Sequence, residues 1–564
     1  MIGLVTATAA GRRLAQRLAD AWPADTTIHS GPVAEQVRAG WGGARALVCF
    51  LATGATVRLL APLLANKRTD PGVVCVDEAG RYAVALLGGH AGGANALALR
   101  VAEVLGAEPV LTTATDATGV TPMDGFGADL GFRLPDPAPL AKVTAAVLDG
   151  APVEVEGMTW PLPALPSGDP VAGPVRIAVS DRLDATADLV YRPPSLVVGV
   201  GASRGAPAEE LDDLIGTVLA GAGLAADSVR GLATIDVKAG EPGIRTVAER
   251  HGWPLLTFPA ADLSTVDVPN PSETVRSAVG TPSVAEAAAL LAARRAGRDA
   301  HLVVPKHASA TGTAAVARLV PRGRLMLVGL GPGAEDLRAP RAVAALRRAS
   351  VVVGLDQYVA QVRHLLSPGT RALESGLGAE EERARAAVTL AGEGHAVALV
   401  GSGDAGIYAM ASPALQAADG TIDVEVVPGI TAAVAAAARL GAPLGHDHAY
   451  LSLSDLHTPW PVIVERLRAV AGADLVACLY NPRSAGRRRQ FDEAVAILAA
   501  HRPPDTPVGI VRDATRAGER VILTTLAALD PDDVDMRSVV IVGASQTRVV
   551  AGRMVTPRGY RWQA

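Results

Sequence analysis

A few short segments of this 564-residue chain gather the residue types that can do chemistry. Three are glycine turns in its carboxy-terminal part: Gly329-Leu-Gly331-Pro332-Gly333, Gly401-Ser402-Gly403-Asp404 leading to Ile407-Tyr408, and Pro428-Gly429-Ile430-Thr431-Ala432. Each follows an apolar run, and glycine there lets backbone N–H groups approach a ligand at the start of a helix. One such turn reads equally as a tight strand–helix connection. Three of them after successive strands put three loops on one sheet edge, where α/β proteins bind ligands. Further toward the amino terminus, Gly88-Gly89-His90-Ala-Gly92-Gly93-Ala-Asn95 surrounds an imidazole with glycines. That turn can admit a bulky ligand against bare backbone, with His90 as acid or base near neutral pH, or it is a tight turn with a hydrogen-bonded histidine. Arg483 and Arg487-Arg488-Arg489 can grip carboxylates bidentately or form a solvated helix face.

The elements that must carry these groups alternate. Apolar runs such as Ala46–Leu51, Val73–Val76, Leu196–Val200, Leu325–Val328 and Val397–Val400 are separated by Ala/Leu/Arg helical patterns. Strands divided by helices imply βαβ units and largely parallel sheets, an α/β class. The length implies about three to four domains. Two breaks suggest where they lie: the Pro/Gly-rich stretch from Met158 to Pro170, which reads as loop or linker, and Leu319-Val-Pro-Arg-Gly-Arg before a new strand. The expected organisation is an α/β unit over 1–120, an intermediate segment over 121–194, a third unit over 195–320 and a last one over 323–564.

Composition excludes several classes. Hydrophobic residues are 49% and charged residues 19%, enough to bury cores over most of the length. Net charge is −5 with no basic domain, which argues against nucleic acid as partner. Cys49, Cys75 and Cys478 lie far apart in apolar runs, with no metal or disulfide spacing. No apolar run reaches the ~18 residues that span a bilayer, and Gly11-Arg-Arg interrupts the first strand too early for a signal peptide. A cytoplasmic location is expected.

The ordered set Gly-x-Gly-Pro-Gly, Gly-Ser-Gly-Asp-x-Gly-Ile-Tyr and Pro-Gly-Ile-Thr-Ala resembles the tetrapyrrole methylase family. With Arg439-Leu-Gly-Ala-Pro-Leu-Gly-His446-Asp447, Leu451-Ser-Leu-Ser-Asp455 and Leu479-Tyr480-Asn481-Pro482-Arg483-Ser484, residues 323–564 are similar to its precorrin-3B C17-methyltransferase branch. The resemblance implies two α/β subdomains, S-adenosylmethionine in the cleft between them, and a homodimer formed through this part. It implies donor contacts at Pro332, Ser402, Gly403, Asp404, Ile407, Thr431 and Ala432, and near Asn481 and Ala514. Family members commonly carry proline where Ala405 stands, so a looser loop is expected there. The family reaction also contracts the macrocycle, which needs proton handling. His446, Asp447 and Asp455 are candidates, although a His or Asp in such a position is more often a cap or loop hydrogen bonder. Arg483 and Arg487 are candidates to hold the substrate's acetate and propionate groups.

Residues 1–318 resemble the cobalamin-biosynthesis family of cobalt-precorrin-5A hydrolases. The resemblance rests on the Gly-Gly-His-x-Gly-Gly-x-Asn turn, Val200-Gly-Ala-Ser-Arg204-Gly, Leu232-Ala-Thr-Ile-Asp236-Val-Lys238, Val268-Pro-Asn270-Pro-Ser272-Glu273 and Gly280-Thr-Pro-Ser-Val-Ala-Glu286. Asn66 stands where that family usually has Asp. The implied reaction opens a δ-lactone and releases a two-carbon aldehyde, which requires a base and oxyanion stabilisation. His90 is the candidate base, with the Gly88–Gly93 amides and Lys238 as candidate oxyanion donors; no metal-ligand spacing accompanies His90. Alternatively, this half binds a labile tetrapyrrole intermediate without turnover. A methyltransferase of the same fold acting on protein side chains does not account for the Leu-Ser-Leu-Ser-Asp and Tyr-Asn-Pro-Arg segments. Other enzymes of the corrin pathway are further candidate partners.

Overall fold

The computed structural model describes residues 1–559 apart from 67–68, 90–91, 114–117, 137–138, 169–172 and 485. It divides into two compact units: Met1–Pro321 with Ser367–Gly369, and Arg322–Leu366 with Thr370–Ala564. No described helix is long and apolar enough to cross a membrane.

The first unit opens with strands β1 (Ile2–Thr6), β2 (Thr26–Ile28), β3 (Ala46–Phe50), β4 (Gly72–Val76), β5 (Tyr82–Leu87) and β6 (Glu108–Val110). They form one sheet in the order β2-β1-β3-β4-β5-β6, parallel except between β4 and β5. Side chains alternate across a strand, so adjacent residues serve opposite cores. Leu4, Val48 and Val74 face helices Ala9–Ala21 and Ala94–Leu105. Val5, Leu47, Cys49 and Val73 fill the other side.

Strands β7 (Val153–Gly157), β8 (Val175–Val179) and β9 (Leu189–Tyr191) make a small parallel sheet with its own core of Met123, Phe126, Val147, Ile177 and Tyr191. The Pro-rich stretch after Met158 has no regular structure over its described residues 159–168, as its prolines require. It is not a bare linker, however: Leu162 and Leu165 are buried in that core. Asp181, 2% exposed, follows β8 and accepts Arg318 Nε at 2.7 Å, Arg318 Nη2 at 2.8 Å and the Ser195 hydroxyl at 2.7 Å.

The third sheet of this unit has β10 (Leu196–Ala202), β11 (Val229–Ile235), β12 (Leu255–Phe258), β13 (Asp299–Ala308) and β14 (Gly312–Val320), ordered β12-β11-β10-β14-β13. Its β13 and β14 run antiparallel, against the expectation of largely parallel sheets, because only Ser309–Thr311 separates them and so short a connection makes an antiparallel pair.

In the second unit β15 (Arg324–Gly329), β16 (Val351–Leu355), β17 (Arg371–Ser375), β18 (Ala396–Gly401) and β19 (Asp423–Val427) form a fully parallel sheet, ordered β17-β16-β18-β15-β19. After β20 (Gly441–Ala442) comes a second sheet of β21 (His448–Ser452), β22 (Val476–Tyr480), β23 (Pro507–Arg512), β24 (Arg520–Thr525) and β25 (Ser538–Val542), ordered β21-β22-β25-β23-β24. Only β21 and β22 run parallel in it. A short edge sheet joins β20 to β26 (Arg548–Val550) and β27 (Arg553–Val555). Helix Ala432–Leu440 leaves the first sheet and buries Ala433, Ala436, Ala437 and Leu440 against Cys478, Tyr480, Val511 and Ile541 of the second. Its alanines and Gly509 permit the close approach: a Cβ on Gly509 would lie 2.2 Å from Leu440 Cδ1.

Candidate functional site

The three glycine turns meet at the carboxyl edge of the parallel sheet of the second unit, because β15 lies between β18 and β19. Gly331 and Gly403 exchange backbone hydrogen bonds of 3.0 and 2.8 Å, both at positive φ (77° and 71°). The contacts leave no room for a side chain. A Cβ on Gly429 would lie 2.2 Å from the Gly403 carbonyl oxygen and 2.8 Å from that of Gly329. Asp404 binds the turns together: Oδ1 accepts the Gly406 N–H at 2.8 Å and Oδ2 the Gly429 N–H at 3.0 Å. Ala405, expected to loosen this loop, is 4% exposed and packed in the core under the sheet.

The second sheet supplies the facing groups. The Tyr480 hydroxyl shares a 2.6 Å hydrogen bond with Thr431 Oγ1 and accepts the Ala433 N–H at 3.0 Å, satisfying the first turn of helix Ala432–Leu440. Burial pushes the Tyr480 phenol up to about 12. The Tyr408 and Tyr450 rings lie 5.2 and 5.8 Å from it, and the Tyr408 hydroxyl donates to the Tyr450 carbonyl at 2.8 Å. Asn481, at φ 48°, donates from Nδ2 to Ser452 Oγ at 3.1 Å. Ile407, Ala432 and Ala514 join one partly buried apolar surface around Tyr480. Thus Pro332, Ser402, Gly403, Asp404, Ile407, Thr431, Ala432, Asn481 and Ala514 do converge. The tyrosine cluster and Arg516, which donates to Pro332 O at 2.7 Å and Ser402 Oγ at 2.6 Å, complete the group. Nothing in the sequence marked Arg516, since its loop owes its path to positive φ at Asp513 and Thr515, neither of them glycine.

Two of the acid–base candidates, His446 and Asp447, do not converge with them. His446 and Asp447 precede β21, whereas Ser452, beside Asn481, ends it; five extended residues at about 3.3 Å each keep the two groups roughly 15 Å apart. His446 Nδ1 accepts the Asp447 N–H at 2.7 Å, a loop contact on the exposed end. Asp455 is exposed and accepts from Gln490 Nε2 at 2.9 Å.

The arginine pair divides. Arg483 donates to the Pro531 carbonyl and pairs with Asp532 at 2.8 Å, which holds that carboxyl below its ordinary range. Arg487 is 9% exposed, with Nη2 3.3 Å from Met536 Sδ and Nη1 meeting no acceptor among the described residues. Burial lowers its pKa, with Asp455 opposing. A cavity of about 310 Å³ opens beside them, lined by Arg483, Ser484, Arg488, Asp535, Met536 and Arg537 among others. Arg488 and Arg537 therefore stand where the run was expected to meet carboxylates.

In the first unit, His90 lies outside the described residues. The glycines around it are largely explained by the protein itself. A Cβ on Gly88 would lie 3.2 Å from the Cα atoms of Gly72 and Gly92, one on Gly89 2.8 Å from Thr113 Cγ2, and one on Gly92 2.8 Å from Gly88 O; only Gly93 faces open space. Of the two readings of this turn, these contacts favour the tight turn at Gly88, Gly89 and Gly92, where backbone and the Thr113 and Asn95 side chains come close. Lys238 is paired with Glu241 at 3.0 Å, and Glu241 also accepts the Gly205 N–H at 2.6 Å. One donor of the Lys238 ammonium is thus held in that turn.

Comparison with known proteins follows this division. Residues 324–530 match the family model of tetrapyrrole (corrin/porphyrin) methylases, 196–317 that of the cobalamin synthesis G C-terminus, and 35–116 that of the cobalamin synthesis G N-terminal part. A probable cobalt-factor III C(17)-methyltransferase of Salmonella typhimurium is 48% identical over 242 residues, 42% of this chain and 99% of that protein. A precorrin-3B C(17)-methyltransferase of a Sinorhizobium species is 37% identical over 42% of this chain and 97% of its own length. The crystal structure of the methyltransferase CobJ is 38% identical, covering 42% of this chain and all of that one, with a TM-score of 0.40. The chain therefore belongs to the tetrapyrrole methylases, as a methyltransferase of cobalamin biosynthesis joined to an amino-terminal half of the cobalamin synthesis G type.

Proposed function

We propose that the second unit transfers a methyl group to C17 of precorrin-3B or its cobalt form and promotes contraction of the ring. S-adenosylmethionine, when bound, supplies the methyl group. The observation that carries this reading is the convergence of the three glycine turns with the apolar surface of Ile407, Ala432 and Ala514. Glycine backbone without side chains beside a half-buried apolar patch suits close approach of a donor with a polar amino-acid end and a flat heterocycle. An electron-rich macrocycle carbon needs little acid–base help to attack a sulfonium methyl, so alignment supplies most of the acceleration. The cavity beside Arg488 and Arg537 suits a carboxylate arm of the macrocycle. The test is mass analysis of products from precorrin-3B and from its cobalt form with the full-length chain. A gain of one methyl on either supports the reading, and a gain on neither refutes it.

For the first unit we propose hydrolysis of the δ-lactone of cobalt-precorrin-5A, with His90 as base. It is supported by the two matches to cobalamin synthesis G models and by a cavity of about 260 Å³ lined by Leu64, Ala65, Asn66, Asp70, Leu87 and Gly88. Release of a two-carbon aldehyde from that substrate tests it. Binding without aldehyde leaves the alternative, a module that holds an intermediate.

A further inference from the structure

We infer that Arg516 is a positioning residue for the methyl-donor site, a strut by which the second sheet holds two turns of the first in place; this rests on the reading of those turns as the donor site. Arg516 lies beyond the carboxyl end of β23, on the loop that also carries Ala514. From there its Nε donates to the Pro332 carbonyl at 2.7 Å and its Nη2 to the Ser402 hydroxyl at 2.6 Å. One guanidinium thus spans the turns that follow β15 and β18. A planar, fixed fork suits that task, because both bonds are set by a single orientation. The neighbouring Thr515 adds a third tie, its Oγ1 accepting the Ala334 N–H at 3.2 Å.

The chain makes specific room for this side chain. Gly333 has φ 147°, and a Cβ there would lie 2.4 Å from Arg516 Cγ and 2.8 Å from its Nε. The last glycine of Gly-x-Gly-Pro-Gly is therefore explained by the arginine that crosses it. The loop behind Arg516 is itself anchored. Its Asp513, at φ 48°, pairs with Arg537 at 3.2 Å, and Arg512 pairs with Asp535 at 2.8 Å. Both Arg537 and Asp535 line the 310 Å³ cavity, so the strut stands on the wall of the pocket assigned to the macrocycle.

The experiment compares the full-length wild type with Arg516→Met and Arg516→Lys. Amide hydrogen exchange is read first without donor. Arg516→Met should speed exchange at the mutually bonded Gly331 and Gly403 amides, and Arg516→Lys, which keeps one donor, should do so less. Calorimetry with S-adenosylhomocysteine should then show about ten- to hundred-fold weaker binding to Arg516→Met and an intermediate loss for Arg516→Lys. In turnover, the donor KM should rise by a similar factor while the macrocycle KM stays the same. Unchanged Gly331 and Gly403 exchange in Arg516→Met overturns the strut, whatever happens to binding. Faster exchange with unchanged homocysteine-ligand affinity overturns its role in the donor site. Failure of the wild type itself to bind S-adenosylhomocysteine refutes the donor reading, and the inference falls with it, while the donor-free exchange result still stands.

Discussion

Asp404, proposed to support the donor site, holds two turns together through its carboxylate. Both of its oxygens are taken by N–H groups of two different turns. Asp404→Ala should therefore weaken S-adenosylhomocysteine binding by about 1.5–3 kcal/mol, the worth of hydrogen bonds to a charged group, measured by calorimetry. Asp404→Asn should rescue little, because its amide NH₂ would face one of the two N–H donors. A large rescue by Asn would show that the negative charge and its second acceptor do not matter. Tyr480 and Cys478 carry a second residue-level expectation. Burial raises the Tyr480 phenol from 10.0 to about 12 and the Cys478 thiol from 9.0 to about 12. The folded state thus prefers both protonated: their contribution is intact below the ordinary values and is lost as pH climbs through them toward 12. Denaturant midpoints should fall between pH 9 and 12, and Cys478→Ala should flatten part of that slope. Equal slopes in wild type and variant would contradict it.

At the scale of elements, spacing between backbones governs both sheets. Gly429→Ala would place a Cβ 2.2 Å from Gly403 O, so the turn after β19 must move away from the turn after β18. Methyl transfer should drop more than tenfold while aldehyde release persists; assaying both on one preparation decides. Loss of both with a normal melting temperature would mean the two activities are not independent. The small parallel sheet of the first unit depends on a different device, the buried Asp181–Arg318 pair. Arg318→Met leaves the 2%-exposed Asp181 carboxylate without its cation, held by the Ser195 hydroxyl, and should cost about 3–5 kcal/mol in denaturant unfolding, with methyl transfer unchanged. A cost under about 1 kcal/mol would place that pair among weak surface contacts.

For the whole molecule, the question is whether two enzymes share one chain. His90→Gln should lower aldehyde release by about 10²–10⁴-fold, the usual worth of general base catalysis, and leave methyl transfer unchanged. If His90 only stabilises its turn, the variant should melt earlier with turnover preserved per folded molecule. If the first unit only binds, the wild type should release no aldehyde.

Glycine turns after apolar strands, the alternation of strands and helices, and the ordered motifs were local patterns, and they carried the fold class, the family and the set of residues that converge at the glycine turns. Local spacing is enough for that, because a parallel sheet brings every turn at its carboxyl edge to one place. Four outcomes needed the folded chain. His446 and Asp447 lie at the wrong end of β21 because a strand carries its two ends apart. The glycines at 88, 89 and 92 meet protein rather than open space because Gly72 and Thr113 come back against them. Lys238 is paired with Glu241 and Arg483 with Asp532. Arg516 reaches Pro332 and Ser402, 184 and 114 positions away along the chain, and pairings between such distant residues leave no mark in any local pattern.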